Sequence, residues 1–442
     1  MNSINFVTLG CSKNEVDTSL MKTVLDKEKY TVVDNATQAD IIIVNTCGFI
    51  DSAKEESIET VLEAAKYKDS DFGNCKKLIL AGCLAQRYPE ELLEAMPEVD
   101  GILGTGNISD INNFLDDIFE EDKVIKADNI NDKYLEGYRK DKNDILKTEY
   151  VKISEGCNNN CTYCIIPKLR GKNRSRNIED IFDEVKYLAE NGTEEVILIA
   201  QNTTDYGIDN YKEYKLHELI HRISGIEKIK WIRVMYLYPD HFTDKLINEF
   251  KNNSKLLKYV DIPLQHVNDN VLKQMNRKTN KEDIVNLIKK LRSEVDGMVI
   301  RTTFIVGFPG ETEEDFKELM EFIKDNPLDK VGVFKYSQEE DTKAYYMENQ
   351  VDEEIKEQRL NELMEEQQII SENLLEKNIG RELEILIEEK ASDDTYIGRS
   401  YMDSPEIDGV VYVNTDNDLK IGSFVKVAVK ETLEYDLIGE LI

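Results

Sequence analysis

Short apolar runs alternate with helical patterns along most of this chain, and that alternation is the feature that most constrains its fold. In residues 1–127 the runs are INFVTLG, DIIIVNT, KLILAG and GILGTG, and stretches such as SAKEESIETVLEAAKYK lie between them. Apolar runs of strand length joined by helical segments are typical of a parallel sheet with crossover helices. The sequence therefore predicts an α/β fold that begins with a parallel-sheet domain.

A second series of strand and helix patterns follows. Its six apolar runs are YVKISEG (150–156), EVILIAQ (195–201), WIRVMYL (231–237), YVDIPLQ (259–265), MVIRTTFIVG (298–307) and KVGVFKY (330–336). Six successive strand–helix units predict a partial (β/α)6 barrel of the TIM type, whose site lies at the carboxyl ends of the strands.

The end of the chain changes character. Residues 352–379 form one long helical pattern, and the segments after it, such as LEILIEE, TYIGRSY and GVVYVN, are closely spaced strand patterns with glycine turns. These short strands predict a small antiparallel β-barrel. The predicted divisions are an amino-terminal sheet domain (1–127), a linker (128–148), a barrel core (149–376) and a carboxy-terminal small barrel (377–442).

Three of the seven cysteines close predicted strands of the first domain. Cys11, Cys47 and Cys83 follow one another at intervals of 36 residues. Because the carboxyl ends of parallel strands meet in one crevice, we expect these three sulfurs, here called the amino-terminal trio, to lie together. Buried cysteines that serve only as small apolar fillers are the alternative. Cys75 precedes its strand and is predicted to be a surface thiol.

The segment GCNNNCTYC (156–164) contains a second group, here called the core trio: Cys157, Cys161 and Cys164. A structural zinc site uses four protein ligands, but the next histidine, His217, lies in an unrelated helical pattern and no cysteine follows. Three thiolates can instead hold an iron–sulfur cube and leave one iron open to a substrate or cofactor. The number of donors therefore favours a cluster.

The charge of the chain limits its partners. It has 56 Lys and Arg against 88 Asp and Glu, a formal charge of −32, which disfavours nucleic acid and suits a basic partner. No stretch approaches the ~20 apolar residues of a membrane span, and the first residues lack the pattern of a secretion signal. With an odd number of cysteines, we expect a cytoplasmic protein without a disulfide framework.

The spacing C-x3-C-x2-C after the first strand of a barrel resembles the radical S-adenosylmethionine (SAM) enzymes, and Tyr163 stands where that family has an aromatic residue. Five motifs are similar to those of its methylthiotransferase family: GCSKNEVD (10–17), KISEGCNNNCTYCIIP (152–167), MYLYP (235–239), IPLQH (262–266) and TFIVGFPGE (303–311). A terminal barrel that resembles a TRAM domain completes a similarity that covers essentially the whole chain.

This resemblance implies two 4Fe–4S clusters. The core trio would hold the cluster that binds and cleaves SAM, which yields a radical that abstracts hydrogen from an unactivated carbon. The amino-terminal trio would hold an auxiliary cluster that presents the sulfur, and a second SAM would methylate that sulfur. A low-potential electron donor such as flavodoxin or ferredoxin and a sulfur source are the implied partners.

The resemblance also implies a SAM pocket that includes Tyr163, Gln201, Ile305 and Gly307. Gln201 would hydrogen-bond the ribose, although a polar residue that merely closes its strand is an equal explanation. Ile305 and Gly307 would flank the adenine, since glycine allows close backbone approach. The only strongly basic run, PKLRGKNRSR (167–176), is expected to be a solvated loop, with a grip on phosphates or on the cofactor carboxylate as the alternative.

Members of this family modify either an aspartate of ribosomal protein S12 or an adenosine of transfer RNA. From Lys377 onward the chain has 7 Lys and Arg against 15 Asp and Glu, and an acidic barrel suits a basic protein better than an RNA backbone. Acidity runs through the whole chain, but LGCSKNEVD and GRSYMDSPEIDGVVY (398–412) also resemble the S12-directed branch. We therefore expect methylthio insertion at the β carbon of an S12 aspartate, with a tRNA adenosine as the alternative substrate.

Other classes of protein fit less well. An iron–sulfur electron carrier or assembly scaffold would also hold two clusters, but it would not need a six-unit barrel with a cofactor cleft. A pure RNA-binding module is disfavoured by the charge. The sequence thus predicts a radical SAM enzyme.

Overall fold

The chain divides into two compact units, and the computed structural model describes residues 1–127, 130–131, 136–137 and 139–442. The amino-terminal unit contains Met1–Lys228 and Ser337–Tyr345, and the carboxy-terminal unit contains Ile229–Tyr336 and Tyr346–Ile442. Of the predicted linker 128–148, residues 128–129, 132–135 and 138 lie outside the described residues.

The amino-terminal unit opens with a parallel sheet. Its strands are β1 (Asn2–Thr8), β2 (Tyr30–Val32), β3 (Ile41–Thr46), β4 (Lys77–Ala81), β5 (Gly101–Leu103) and β6 (Val124–Lys126). They pair in the order β2-β1-β3-β4-β5-β6, and every pair is parallel. The helices between them are α1 (Ser12–Val24), α2 (Asp51–Ala65), α3 (Gly82–Arg87), α4 (Pro89–Ala95) and α5 (Ile111–Glu120). The prediction of a parallel-sheet domain is confirmed.

Strand β3 shows how this sheet is buried on both faces. Ile41 and Ile43 belong to one apolar cluster, whereas Ile42 and Val44 belong to another. Successive side chains of a strand point to opposite faces, so a strand that is covered on both sides needs an unbroken apolar run. The run DIIIVNT is such a strand.

Cys75 lies in the second of these clusters, and the prediction of a surface thiol is wrong. It is only 5% exposed, and its Sγ lies 3.3 Å from the carbonyl oxygen of Lys77. Burial raises the pKa of the Cys75 thiol to about 11, as expected for a sulfur among apolar neighbours. Its neighbours in the sequence, FGNCKK, are mostly polar and do not indicate that the thiol itself is buried.

The amino-terminal unit continues beyond this sheet. Its further elements are β7 (Thr148–Lys152), β8 (Ser154–Glu155), α6 (Ile166–Arg170), β9 (Arg174–Ser175), α7 (Ile178–Glu190), β10 (Glu195–Ile199) and α8 (Leu216–Ser224). Strands β7 and β10 pair in parallel, while the very short β8 and β9 pair antiparallel.

The segment Ser337–Tyr345 completes the amino-terminal unit through a buried carboxylate. Oε2 of Glu339 lies 2.9 Å from Nη1 of Arg87 and 3.0 Å from Nζ of Lys54. The backbone N–H of Ala344 donates to the carbonyl oxygen of Thr162 at 2.8 Å. A segment distant in sequence therefore braces both the sheet helices and the loop of the core trio.

The carboxy-terminal unit holds the later strand–helix repeats. Its elements up to the small barrel are β11 (Trp231–Val234), α9 (Asp244–Asn252), β12 (Tyr259–Asp261), α10 (Asp269–Gln274), α11 (Lys281–Glu294), β13 (Val299–Val306), α12 (Glu313–Asp325), β14 (Lys330–Lys335) and α13 (Glu353–Leu375). Strands β12, β13 and β14 form a parallel sheet. Each of the six runs predicted for the core contains a strand, and the long helical pattern is α13.

A closed five-stranded barrel ends the chain. Its strands are β15 (Glu382–Lys390), β16 (Thr395–Arg399), β17 (Val411–Asn414), β18 (Phe424–Thr432) and β19 (Leu437–Leu441). They close in the order β15-β16-β17-β19-β18. The predicted small barrel is confirmed, with one difference: β17 and β19 pair in parallel, whereas the other four pairings are antiparallel.

The loop between β16 and β17 fixes this barrel to the core strands of the same unit. Asp403 pairs with Nζ of Lys330 at 2.9 Å, and the hydroxyl of Tyr259 donates to Asp408 at 2.6 Å. Both aspartates are almost fully buried. The motif GRSYMDSPEIDGVVY therefore has a structural role, because its aspartates anchor the barrel.

Among the residues that the structure describes, none of the helices combines the length and the apolar composition that crossing a membrane requires.

We expect Asp403→Asn to lower the free energy of unfolding of the carboxy-terminal unit by about 3 kcal/mol, because it leaves the buried Lys330 charge without its partner. Urea unfolding followed by the fluorescence of Trp231, the only tryptophan and a member of the cluster shared by core and barrel, measures this change. Asp418→Asn is the matched control, since the Lys390–Asp418 pair is exposed (43% and 92%) and such pairs contribute little. Equal effects of the two substitutions would contradict the buried anchor.

Candidate functional site

The amino-terminal trio follows three neighbouring parallel strands. Cys11 comes after β1 and occupies the N-cap position of α1. Cys47 directly follows β3, and Cys83 lies in the first turn of α3 after β4. A Cβ added to Gly10 would lie 2.8 Å from Cβ and 3.1 Å from Sγ of Cys47. Gly10 also has φ of +91°, a region that side chains disfavour. The sheet edge thus brings the cysteine loops into contact, as the strand positions predict.

The electrostatics of these thiols show that they interact. Burial raises the pKa of Cys83 to about 11; nearby Arg170 opposes the rise, and the neighbouring Cys11 and Cys47 add to it. Burial likewise raises the pKa of Cys47, with a further contribution from Cys11. These shifts favour the neutral thiols, so three thiolates at this edge would repel one another and would need cations among them. Iron–sulfur clusters supply such cations, so the donor set fits one.

The core trio lies on the loop between β8 and α6. The N–H of Cys157 donates to the carbonyl oxygen of Gly171 at 3.0 Å, and that of Cys164 donates to Cys161 at 3.1 Å. Gly156, with φ of +79°, leaves no room for a Cβ, which would lie 2.2 Å from the carbonyl oxygen of Lys172. All three cysteines are half-buried. Backbone hydrogen bonds and the close packing at Gly156 therefore fix the conformation of this loop.

The two trios are neighbours within the amino-terminal unit. Cys83 packs in one apolar cluster with Ile165 and Leu169, and Ile165 directly follows Cys164 in the chain. The first helix after the core trio thus lies against a member of the amino-terminal trio.

The number of ligands in each trio suits a cluster better than a closed zinc site. In the part of the chain that the structure describes, no three His, Cys, Asp or Glu side chains converge on one metal-ion position. A closed zinc site would need four ligands around one ion. In a 4Fe–4S cube each thiolate binds its own iron, so the sulfurs are kept apart by the cube.

A buried network of charges lies beside both trios. Nζ of Lys152 lies 2.5 Å from Asp17 and 2.5 Å from Glu155, and Nη1 of Arg170 lies 2.5 Å from Asp17. Burial would raise the pKa of Glu155, but Lys152 and Arg170 lower it to about 2. The network therefore holds ionised side chains that balance one another. Sequence reasoning missed these roles, although the residues stand in GCSKNEVD, KISEGC and PKLRG.

The basic run 167–176 is not the solvated loop that we expected. Arg170 and Arg176 have side chains only 2% and 1% exposed, and both pair with internal carboxylates. Lys168 and Lys172 are exposed. The expectation is wrong for the two arginines. Arg170 pairs with Asp17, which is distant in sequence, and Arg176 pairs with Asp180, four residues onward. The run of basic residues alone does not indicate either partner.

Gln201, predicted to contact SAM, is anchored beside the core trio. Its Nε2 donates to Oε1 of Glu155 at 2.6 Å, and Glu155 stands two residues before Cys157. Oε1 of Gln201 is buried and has no hydrogen-bond partner among the described residues. Such an acceptor fits a ligand that donates a hydrogen bond. Tyr163 is half-buried on the same loop as the cysteines.

Ile305 and Gly307, the other predicted SAM residues, lie in the carboxy-terminal unit at the end of β13. The N–H of Ile305 donates to the carbonyl oxygen of Gln265 at 2.7 Å. A Cβ on Gly307 would lie 2.2 Å from Cγ of Lys356, so the close packing of α13 explains this glycine without a ligand.

Two further residues of this unit have unusual backbones. Tyr236 and Gln265 have φ of 60° and 72°, which is uncommon outside glycine and often marks functional sites. They follow β11 and β12 and belong to the motifs MYLYP and IPLQH. The strand ends at which we predicted the site therefore include residues with a strained backbone. The residue types alone do not indicate this strain.

Comparisons with known proteins identify the family of this chain. Three family models match: the radical SAM superfamily (residues 151–323), the uncharacterized protein family UPF0004 (residues 3–104) and the TRAM domain (residues 379–442). The ribosomal protein uS12 methylthiotransferase RimO of Clostridium novyi (strain NT) is 50% identical over 99% of this chain and 97% of its own length. RimO of Clostridioides difficile (strain 630) is 48% identical over 100% and 99%. This chain belongs to the uS12 methylthiotransferase family.

The predicted family is thereby confirmed, together with the enzyme class. Membership in the radical SAM superfamily implies a 4Fe–4S cluster and SAM as cofactors. The radical SAM methyltransferase TsrM from Kitasatospora setae, solved with cobalamin and a [4Fe-4S] cluster, has a TM-score of 0.55 at 13% identity over 76% of this chain and 75% of its own. The cobalamin-dependent radical enzyme OxsB has a TM-score of 0.53 at 14% identity over 83% and 56%. These similarities confirm the fold class.

We expect Gly10→Ala to remove about half of the iron from anaerobically reconstituted protein, because the added methyl group would displace Cys47, a ligand of one of the two clusters that the sequence predicts. Iron analysis per chain measures the loss. Gly225→Ala is the control, since its nearest contact would be the carbonyl oxygen of Arg222 at 3.3 Å. Full iron content in Gly10→Ala would show that the crowding around Cys47 is not needed for metal binding.

Proposed function

We propose that this protein inserts a methylthio group at the β carbon of an aspartate in ribosomal protein uS12. The observation that carries the proposal is the placement of both cysteine trios in one compact unit, with Cys83 packed against the helix that follows Cys164. Insertion of a methylthio group requires one site that activates a C–H bond and a second that delivers sulfur. Two neighbouring trios of thiolates provide them.

Four segments of the chain have different roles in this function. Residues 1–127 form the methylthiotransferase domain with the auxiliary cluster, 128–148 the linker, 149–376 the radical SAM core and 377–442 the TRAM-like barrel. Cys157, Cys161 and Cys164 would hold a 4Fe–4S cluster whose fourth iron is left for SAM. When bound, that cluster and SAM supply the radical that removes hydrogen from the substrate carbon.

The protein's own residues orient the cofactor and exclude water. The Oε1 atom of Gln201, which has no partner among the described residues, would accept a hydrogen bond from SAM, and Glu155 holds that amide in place. Tyr163 lies on the same loop as the core trio, while Ile305 and Gly307 stay predictions of the family resemblance. The reaction needs no side-chain acid or base, consistent with His266: burial lowers its pKa to about 4, so it is neutral, and its Nδ1 accepts from Asn268 N–H at 3.0 Å.

Cys11, Cys47 and Cys83 would hold a second 4Fe–4S cluster, which presents the sulfur that is transferred. Cys11 is exposed whereas Cys83 is buried, so the trio has one open side for sulfur and substrate. A low-potential donor such as flavodoxin or ferredoxin provides electrons, and a separate source replenishes the sulfur.

The acidic barrel supports a basic protein substrate. From Lys377 onward 15 Asp and Glu stand against 7 Lys and Arg, and a field of this sign attracts a basic ribosomal protein and repels an RNA backbone. The names of the relatives point the same way, since they are uS12 methylthiotransferases. Such a substrate places the enzyme in the cytoplasm.

An anaerobic assay with purified uS12, SAM and dithionite tests the proposed function. We expect uS12 to gain the mass of one methylthio group on an aspartate, with release of 5′-deoxyadenosine. Transfer RNA is the parallel substrate, and a methylthio adenosine there with unmodified uS12 would overturn the assignment. The chemistry itself is checked with Cys157→Ala, which should abolish 5′-deoxyadenosine formation.

If each trio holds one cluster, single cysteine substitutions should change the iron content of the protein in a defined way. Wild-type protein should carry about eight irons, and Cys11→Ala or Cys157→Ala about four, because each removes a ligand of one cube. Cys75→Ala is the matched control: it removes a buried thiol of the same unit that belongs to neither trio, and iron should stay at the wild-type level. Loss of iron in Cys75→Ala, or none in Cys11→Ala, would contradict the two trios.

A further inference from the structure

We propose that Arg170 sets the reduction potential of the cluster on the amino-terminal trio, as a positioning residue that acts on the Cys83 sulfur. The inference rests on the proposed function, because it takes that trio to hold a cluster. Nη2 of Arg170 donates to Sγ of Cys83 at 3.3 Å. The guanidinium side chain is only 2% exposed, so water does not compete for this bond.

The orientation of Arg170 is fixed by Asn14. The same Nη2 donates to Oδ1 of Asn14 at 2.6 Å. Nδ2 of Asn14 in turn donates to the carbonyl oxygens of Leu9 at 2.8 Å and Thr46 at 3.1 Å. Because those two carbonyls occupy the amide's donor side, its oxygen must face the arginine. The strand ends that carry Cys11 and Cys47 thereby hold the arginine on Cys83.

The charges around Arg170 balance without the Cys83 sulfur, so one N–H of its guanidinium can donate to that sulfur. Nη1 of Arg170 pairs with Asp17 at 2.5 Å and lies 3.3 Å from Glu155, and both carboxylates also bind Lys152. Two cations therefore match two carboxylates before any cluster charge is counted. A thiolate on Cys83 is the additional anion, and the N–H of Arg170 points at it.

A charged donor to a cluster sulfur changes the reduction potential in a known direction. Reduction adds negative charge to the cluster, and a positive charge and hydrogen bond in a buried site stabilise the reduced form more than the oxidised form. Arg170 thus raises the potential of this cluster. Arg170 is the last residue of α6, the helix that follows the core trio, so an element next to one trio supplies the residue that tunes the other.

The test is a potentiometric titration, followed by electron paramagnetic resonance, of full-length protein with Cys157, Cys161 and Cys164 replaced by alanine. This parent keeps one cluster, so the potential belongs to the amino-terminal trio. We expect Arg170→Gln to shift the midpoint to a more negative value and Arg170→Lys, which keeps the charge, to shift it less. Arg176→Gln is the matched control, a buried arginine of the same run whose guanidinium pairs with Asp180 and Glu184, and it should leave the potential unchanged.

A second variant covers the case in which Arg170→Gln does not fold. Arg170→Gln combined with Asp17→Asn removes one buried cation and one anion together, leaves the Lys152–Glu155 pair balanced, and should also shift the midpoint to a more negative value. Unchanged potentials in loaded Arg170 variants, or an equal shift in Arg176→Gln, would overturn the role of Arg170. A parent protein that binds no iron would instead overturn the auxiliary cluster of the proposed function.

Discussion

Parallel strands of one sheet end at the same edge, and the arrangement of this protein's cysteines depends on that constraint. β1, β3 and β4 are adjacent, so the residues that follow them meet without any local contact to guide them. Asn14 then connects the resulting loops, because its amide bonds the carbonyls of Leu9 and Thr46. Its side-chain oxygen accepts a hydrogen bond from Arg170, which lies on α6, the helix that follows the core trio. The positions of the strand ends thus determine, through Asn14, where the charged side chain of Arg170 lies relative to the sulfurs.

Most elements could be predicted because they depend on residue patterns that are local. The unbroken apolar run of β3 requires cover on both faces, and the six runs of the core each contain a strand. The cysteines could be assigned to trios for a related reason: they are few, and they stand directly after strands. In both cases the information needed lies within one strand–helix unit.

The buried charges could not be predicted, because their partners are distant. Arg170 and Asp17 are separated by 153 residues, and nothing in the run 167–176 distinguishes its buried arginines from its exposed lysines. The same holds for the packing around Gly307, where a Cβ would lie 2.2 Å from Cγ of Lys356, a residue 49 positions further along the chain. Cys75 shows the reverse error, since polar neighbours in sequence do not determine where one thiol points.

The brace formed by Ser337–Tyr345 affects the order in which the chain can fold during synthesis. The sheet helices that carry Lys54 and Arg87 emerge early, yet their buried counter-charge, Glu339, is made more than half a chain later. Lys54 and Arg87 therefore lack this buried partner while residues 229–336 of the other unit are translated. The amino-terminal unit can complete its packing only after the first part of the other unit, residues 229–336, has been synthesised.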